Sequence, residues 1–236
     1  MIFQIIKQLF AACSLSILFM IVTPARTTAQ EVGVSASFFF PKNGYFSIPV
    51  SPISFRDVGV NFNDFLGVET GITLYRISGL SVKDLPFDSE KPLVGPMFTV
   101  LVPLNAVLEF GFNGQRIKFR AGSFFFYNFD QKVNHGNLDR ELKKFTGLEV
   151  VNAEFTSKPN IGFGYYGGIE YVIYLSNSLG LTFGGNYFIG DSKAELGGTY
   201  VGSDTAGTII TEEVSYPDSK VDFTGLELSV GILIGG

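Results

Sequence analysis

A period of two, sustained over long stretches, constrains this chain more than any other feature. From Ile161 to Leu175 one alternate set reads Ile161, Phe163, Tyr165, Gly167, Ile169, Tyr171, Ile173 and Leu175. The other set reads Gly162, Gly164, Tyr166, Gly168, Glu170, Val172 and Tyr174. After Ser176-Asn177-Ser178 the split recurs, with Leu179, Leu181, Phe183, Tyr187 and Ile189 against Gly180, Thr182, Gly184 and Asn186. Successive side chains of a strand point to opposite faces, so each segment has one apolar face and one small or polar face. Applied throughout, the pattern predicts eight strands over Val32–Phe40, Phe55–Phe62, Leu66–Ile77, Met97–Phe112, Arg116–Phe129, Ile161–Leu175, Leu179–Ile189 and Val221–Ile234.

The connections alternate in length. Asn63-Asp64, Asn113-Gly114-Gln115 and Ser176-Asn177-Ser178 are tight hairpin turns. Pro41–Ser54, Ser78–Pro96, Asp130–Asn160 and Gly190–Lys220 are long. With both chain ends on one side, every tight turn falls on that side and every long loop on the other, as in barrels that cross an outer membrane. The predicted fold class is all-β, an eight-stranded antiparallel up-and-down transmembrane β-barrel occupying residues 30–236. A closed barrel satisfies every backbone donor and acceptor within its sheet, which is what allows strands to cross hydrocarbon.

The outward face then has to be apolar. The fourth strand offers Phe98, Val100, Val102, Leu104, Ala106, Leu108 and Phe110, and the last offers Leu226, Leu228, Val230, Ile232 and Ile234. Arg76 falls at a strand end, where a charge can reach the interface. The opposite face collects Asp57, Glu69, Glu109, Lys118, Arg120, Glu170 and Glu227, together with many of the 28 glycines. An eight-stranded barrel has little interior room, so glycines relieve crowding and the carboxylates should pair with Lys118 and Arg120. The expected result is a structural ion-pair cluster in the lumen. A secreted soluble barrel of the lipocalin kind, with its apolar face inward, is the competing fold; its other face would have to be water-loving, and this one is poor in charge.

Residues 1–29 read as a secretory signal. Lys7 gives a positive start, Leu9–Val22 an apolar segment, and Thr27-Thr28-Ala29 small residues before a cleavage site after Ala29. The apolar stretch is shorter than the ~20 residues a membrane-spanning helix needs. Cys13 sits in a loose lipobox-like context but inside this segment, so it is expected to be lost with it. Cleavage removes two of the 17 basic residues and none of the 22 acidic ones, leaving a more acidic chain without cysteine. That balance argues against a nucleic-acid partner and suits an oxidising compartment.

Val58-Gly-Val-Asn-Phe-Asn-Asp-Phe-Leu-Gly-Val-Glu-Thr-Gly-Ile-Thr-Leu74, Ile161-Gly-Phe-Gly-Tyr-Tyr-Gly-Gly-Ile-Glu-Tyr171 and Gly180-Leu-Thr-Phe-Gly-Gly-Asn-Tyr187 resemble the strand units of small bacterial outer-membrane β-barrel proteins. That group includes OmpX-, OmpW- and OmpA-like domains. The resemblance covers residues 30–236 as a pattern without diagnostic motifs. It implies a bacterial outer-membrane location with periplasmic termini, contact with membrane lipids and lipopolysaccharide, and handling by the outer-membrane assembly machinery. One departure is the end of the chain, Ile232-Leu-Ile-Gly-Gly236, where such proteins commonly carry an aromatic residue. With no Trp, Phe and Tyr have to form the interfacial girdles.

Chemistry is sparse. Gly162-x-Gly164-x-x-Gly167 has the letters of a dinucleotide fingerprint but lies inside an alternating strand instead of opening a helix. There is no phosphate loop and no metal-ligand cluster, so no cofactor is expected. Lipid A deacylases use a His-x-Ser-Asn pattern; the single His, His135, is followed by Asn137 where the nucleophile would stand, and no enzymatic activity is expected. The third long loop holds Lys132, His135, Arg140, Lys143 and Lys144 as candidates for surface interaction, either as a solvated segment or in contact with lipopolysaccharide phosphates or an extracellular or envelope protein partner. Leu138, Leu142 and Phe145 have helical spacing there, with Asn137 as a candidate cap. The sequence favours a structural or loop-mediated interaction role at the envelope surface. It leaves open a narrow OmpW-like path for small hydrophobic molecules, which an opening in the wall would favour and a plug of Phe39, Phe124, Phe126, Tyr166 and the charge cluster would oppose.

Overall fold

The computed structural model describes residues 31–45 and 53–235. The expected signal segment, residues 1–29, lies outside them. In chain order the elements are β1 (Val32–Pro41), β2 (Gly44–Tyr45), β3 (Ile53–Asn61), β4 (Leu66–Ile77), β5 (Gly79–Leu80), β6 (Val82–Lys83), β7 (Met97–Phe112) and β8 (Gln115–Phe129). Then follow helix α1 (His135–Thr146), β9 (Val150–Ser157), β10 (Ile161–Ser176), β11 (Leu179–Lys193), β12 (Leu196–Ser203), β13 (Ile209–Tyr216), β14 (Lys220–Asp222) and β15 (Gly225–Ile234).

The antiparallel pairings β1–β3, β3–β4, β4–β7, β7–β8, β8–β10, β10–β11, β11–β15 and β15–β1 return to their starting point, closing an eight-stranded barrel. The strand ends follow the sequence pattern to within two residues for the first six barrel strands. The seventh, β11, runs on to Lys193. The eighth is interrupted at Phe223–Thr224, although one register with β11 persists across the break, from Phe188↔Gly225 to Asp191↔Asp222. The cause is a change of neighbour. β1 ends at Pro41 opposite Gly225, and β14 instead borders β6.

The tight turns have local explanations. Asn113 (φ 46°) and Gly114 (φ 75°) both take positive φ, which two-residue hairpin turns of the twisted-sheet type require. The Asn63 carboxamide oxygen accepts from the amides of Phe65 and Leu66 at 2.9 and 2.8 Å. At the other end the described parts of the long connections fold into further structure. β12 pairs with both β9 and β13 in a separate three-stranded sheet, and α1 packs on β9. The Asn134 side chain caps α1 by accepting from Asn137 N at 3.2 Å, and Gly147 (φ 73°) ends the helix. Asn137 is therefore not the cap; its amide donates to the Pro92 carbonyl at 2.7 Å. Leu138 and Leu142 are fully buried while Phe145 is half exposed, so this loop is part of a packed cap and not a solvated segment.

Exposure alternates along the wall. Phe110, Leu108, Leu104, Phe119, Phe125, Phe163, Ile169, Phe183, Leu226, Leu228 and Val230 are among the exposed apolar side chains, while most of the intervening residues are buried. Barrel strands of up to 16 residues exceed the ~9–11 that cross a bilayer. Among the described residues no helix is long and apolar enough to cross a membrane.

Candidate functional site in the barrel lumen

The lumen is built as two storeys. The storey nearer the tight turns is ionic. Lys118 Nζ lies 3.1 Å from Asp57 Oδ1, 3.0 Å from Glu69 Oε1 and 3.6 Å from Glu109 Oε1. Arg120 donates through Nε to Glu69 Oε2 at 2.9 Å and through Nη2 to Glu170 Oε1 at 2.9 Å, and also to Asp57. Strand parity delivers Lys118 and Arg120 from β8, Glu109 from β7, Glu69 from β4 and Glu170 from β10 to one level, and registers such as Glu109↔Lys118 and Glu170↔Lys118 set them side by side. All seven residues singled out from the sequence are buried.

Three partners escaped the sequence reading: Arg56, Glu31 and Arg116. Glu227 pairs with Arg56, whose Nη2 also donates to Ser37 Oγ at 2.8 Å. Glu31 accepts from Arg116 at 2.7 Å and from the Tyr174 hydroxyl at 3.0 Å. Arg56 was hidden by a bulge: Arg56 and Asp57 of β3 together oppose the single Gly71 of β4. Asp57 takes φ 62° there, so two consecutive side chains turn inward and parity fails. A Cβ on Gly71 would come within 2.3 Å of the Phe55 carbonyl oxygen, which is why the opposing position is glycine. The charge arrangement answers the cost of burial. Lys118, Arg120 and Arg56 each meet at least two carboxylates or polar partners, without which a buried charge is strongly destabilising.

The second storey is aromatic. Phe223, at the break between β14 and β15, stacks on Phe39 with centroids 4.5 Å apart and lies 4.6 Å from Phe126 and 5.8 Å from Phe124. Phe188 and Tyr166 stack at 5.0 Å. Room for these rings comes from the adjacent strand, where Gly162 of β10 pairs with Phe126: a Cβ on Gly162 would sit 2.2 Å from the Phe126 ring. The same apolar cluster continues without interruption into Leu80, Leu93, Leu138, Leu142 and Phe155 of the cap. Phe39, Phe124, Phe126 and Tyr166 thus form the plug considered from the sequence, joined by Phe188 and Phe223. Between the storeys remains a cavity of about 30 Å³ bordered by Tyr75, Asn105, Tyr166, Asn186 and Glu227, the size of a water or two.

Beside that cavity the wall is irregular on both sides of Gly71, at the β3 bulge and again toward β7. Pairing of β4 with β7 lapses between Thr70↔Leu104 and Thr73↔Leu101. Pro103 has no amide to donate, and its carbonyl accepts instead from the Thr70 hydroxyl at 2.7 Å.

The loop candidates divide. His135 Nδ1 donates to the Ala153 carbonyl at 2.7 Å, Arg140 bonds Asn137 and Glu141, and Lys144 bridges Glu141 and Glu90. His135 ties α1 to β9, Arg140 bonds only within α1, and Lys144 adds an exposed link to Glu90. Lys132 and Lys143 are exposed and make no ion pair among the described residues.

No protein-family model matches the sequence, and no curated protein does. Solved structures do. The outer membrane protein OprG from Pseudomonas aeruginosa aligns over 89% of this chain and 96% of its own, with a TM-score of 0.51 and 14% identity. A major outer membrane protein from Thermus thermophilus aligns over 89% of this chain and 100% of its own (TM-score 0.43, 14% identity). Ail, the attachment invasion locus protein of Yersinia pestis, aligns over 87% and 95% (TM-score 0.40, 11% identity). The likeness to OprG, with the closed strand order, defines the class: this chain has the fold of the small outer-membrane β-barrels. At such identities the likeness is one of fold.

Proposed function

We propose that the chain is an integral protein of a bacterial outer membrane whose barrel is a closed anchor and whose folded cap carries an interaction role at the envelope surface. The exposed apolar band, the short-turn end and the long-loop end support the membrane assignment. On this reading the termini are periplasmic, the cap contacts lipopolysaccharide through exposed cations such as Lys132 and Lys143, and the protein has no catalytic role. The observation that carries the closed-anchor reading is the aromatic storey centred on Phe223, which fills the lumen above the ion-pair cluster. The test is flux in liposomes. The native barrel should pass small hydrophilic solutes no faster than lipid alone, and steady flux through it would overturn the reading.

A second reading has its own support, the lapse in pairing at Thr70–Thr73 and Leu101–Leu104 next to the cavity. A small hydrophobic molecule could leave the lumen sideways there. Joining the two strands with the pair Ile72→Cys and Val102→Cys distinguishes the readings: uptake of a hydrophobic solute that stops on oxidation and returns on reduction supports the side path, and unchanged uptake removes it.

A further inference from the structure

The three-stranded sheet of the cap has two edges, and they are treated differently. On β9 the edge is occupied by α1: the amide of Ala153 donates to Asp139 Oδ1 at 2.8 Å and its carbonyl accepts from His135. On β13 the edge is open. β13 pairs with β12 alone, and among the described residues no backbone hydrogen bond joins residues 209–215 to any other segment. The strand is eight residues long, pairs with β12 without a register shift and contains neither Pro nor Lys. Proline, lysine and other charged side chains, a bulge or a very short strand are the usual means by which a free edge is protected from further pairing; of these β13 has only the charges of Glu212 and Glu213, which a basic strand would neutralise. Ile210, Val214 and Tyr216 pack on the cap core, so the strand is held in place, while Ile209, Thr211, Glu212, Glu213 and Ser215 are exposed.

From this we infer that the outer edge of β13 is a strand-addition site for an extended, basic peptide segment of a partner protein. Charge identifies the partner. Between Lys193, which pairs with Asp218 at 3.7 Å, and Lys220, the stretch from Ala194 to Ser219 contains Glu195, Asp204, Glu212, Glu213 and Asp218 and no Lys or Arg, and Glu212 and Glu213 lie on the edge strand itself. A row of ladder groups flanked by carboxylates on both faces suits a strand with alternating lysines or arginines, main-chain bonds supplying affinity and side chains specificity. It opposes lipid phosphates. It also opposes a second copy of this chain: centred antiparallel self-pairing sets Glu212 against Glu213, like charges directly across a ladder. The inference rests on the interaction role proposed above and names the place and chemistry of one contact.

The experiment uses the full chain in detergent micelles and a fluorescent octapeptide in which lysine alternates with valine or threonine. Saturable binding is expected, with slowed amide exchange at residues 209–215 and not in β9. An octapeptide with glutamate in place of lysine should not bind. The double substitution Glu212→Lys, Glu213→Lys should reverse that preference. N-methylation of backbone amides along one side of the lysine peptide should weaken binding by about fivefold per blocked hydrogen bond. An N-methylated peptide that binds as well as the parent, or unchanged exchange at β13, would overturn strand addition. A concentration-dependent dimer that protects the same amides without peptide would reassign the edge to a second copy. Failure here is separable from failure of the broader role: liposome flux through the native lumen sinks the closed anchor whatever the peptide does, while a protein that ignores the peptide yet still binds lipopolysaccharide vesicles loses only this site.

Discussion

The two storeys of the lumen fill the same width of barrel by opposite means. Near the tight turns, Lys118, Arg120 and Arg56 are held by carboxylates from other strands, and the strands are tied to one another by charge. Near the loops, Phe223, Phe39, Phe126 and Phe188 fill the space by ring packing, and the same cluster runs on into α1 and the cap sheet. The difference teaches where the boundary between barrel and loops lies. By packing it does not lie where the barrel strands end: the cap and the upper lumen are one apolar core, whereas the ionic storey stands alone beneath it.

The largest effect should come from the ionic storey. Arg120→Ala leaves Asp57, Glu69 and Glu170 without a shared cation, and removing one partner of a buried ionic group typically costs about 3–5 kcal/mol. Urea unfolding from lipid vesicles should show a large fall in midpoint; an unchanged midpoint would mean that water replaces the guanidinium. Phe223→Ala should cost about 3 kcal/mol, the low end for a buried aromatic because neighbouring rings can close in. Solute flux in liposomes above that of the native barrel would show that the neighbouring rings do not close in. Leu142→Ala, entirely within the cap, should cost about 2–3 kcal/mol. If cap and upper lumen are one core, that cost appears in the global unfolding transition; a loss confined to protease sensitivity of residues 135–146 would separate them. Removing the helix cap with Asn134→Ala should cost only about 1 kcal/mol, read by amide exchange in the first turn of α1.

The smallest effect is a pH dependence in the cap sheet. Burial and the hydrogen bond to Glu212 push the Tyr200 hydroxyl up to about 12. A phenol raised in the folded state stabilises fully below its unfolded value near 10 and ceases to do so as pH rises through about 12. Alkaline titration should therefore loosen the β12–β13 hairpin in that window, and Tyr200→Phe should remove one late-ionising tyrosine from the absorbance titration. A Tyr200 that titrates with the exposed tyrosines would refute the pairing.

The strands were legible because a wall with an apolar outer face and a crowded lumen writes its parity into every second residue. Lys118, Arg120, Glu109, Glu69 and Glu170 share a level because hairpin registers preserve that parity. Arg56 was not legible, since one inserted residue at Asp57 turns its side chain from the outer face to the inner. In the cap the helix was legible, but its packing was not, for a different reason. Leu138 and Leu142 are spaced for a helix, but their burial depends on Leu80, Leu93 and Phe155, residues from other segments whose meeting no local pattern records. Phe223 belongs to the same class, a residue whose role appears only when its strand changes neighbours.

The seam between β1 and β15, where Val32 lies opposite Ile234, has a consequence in time. The first strand of the barrel to be made waits for the last, so no cylinder exists until nearly the whole chain has arrived. Until then both end strands are bare edges prone to pairing with the wrong neighbour, and the closing contact spans almost the full sequence, the slowest kind to form. The ten-residue β15 is therefore the strand on which closure turns, because its pairing with β1 converts two open edges into one continuous wall.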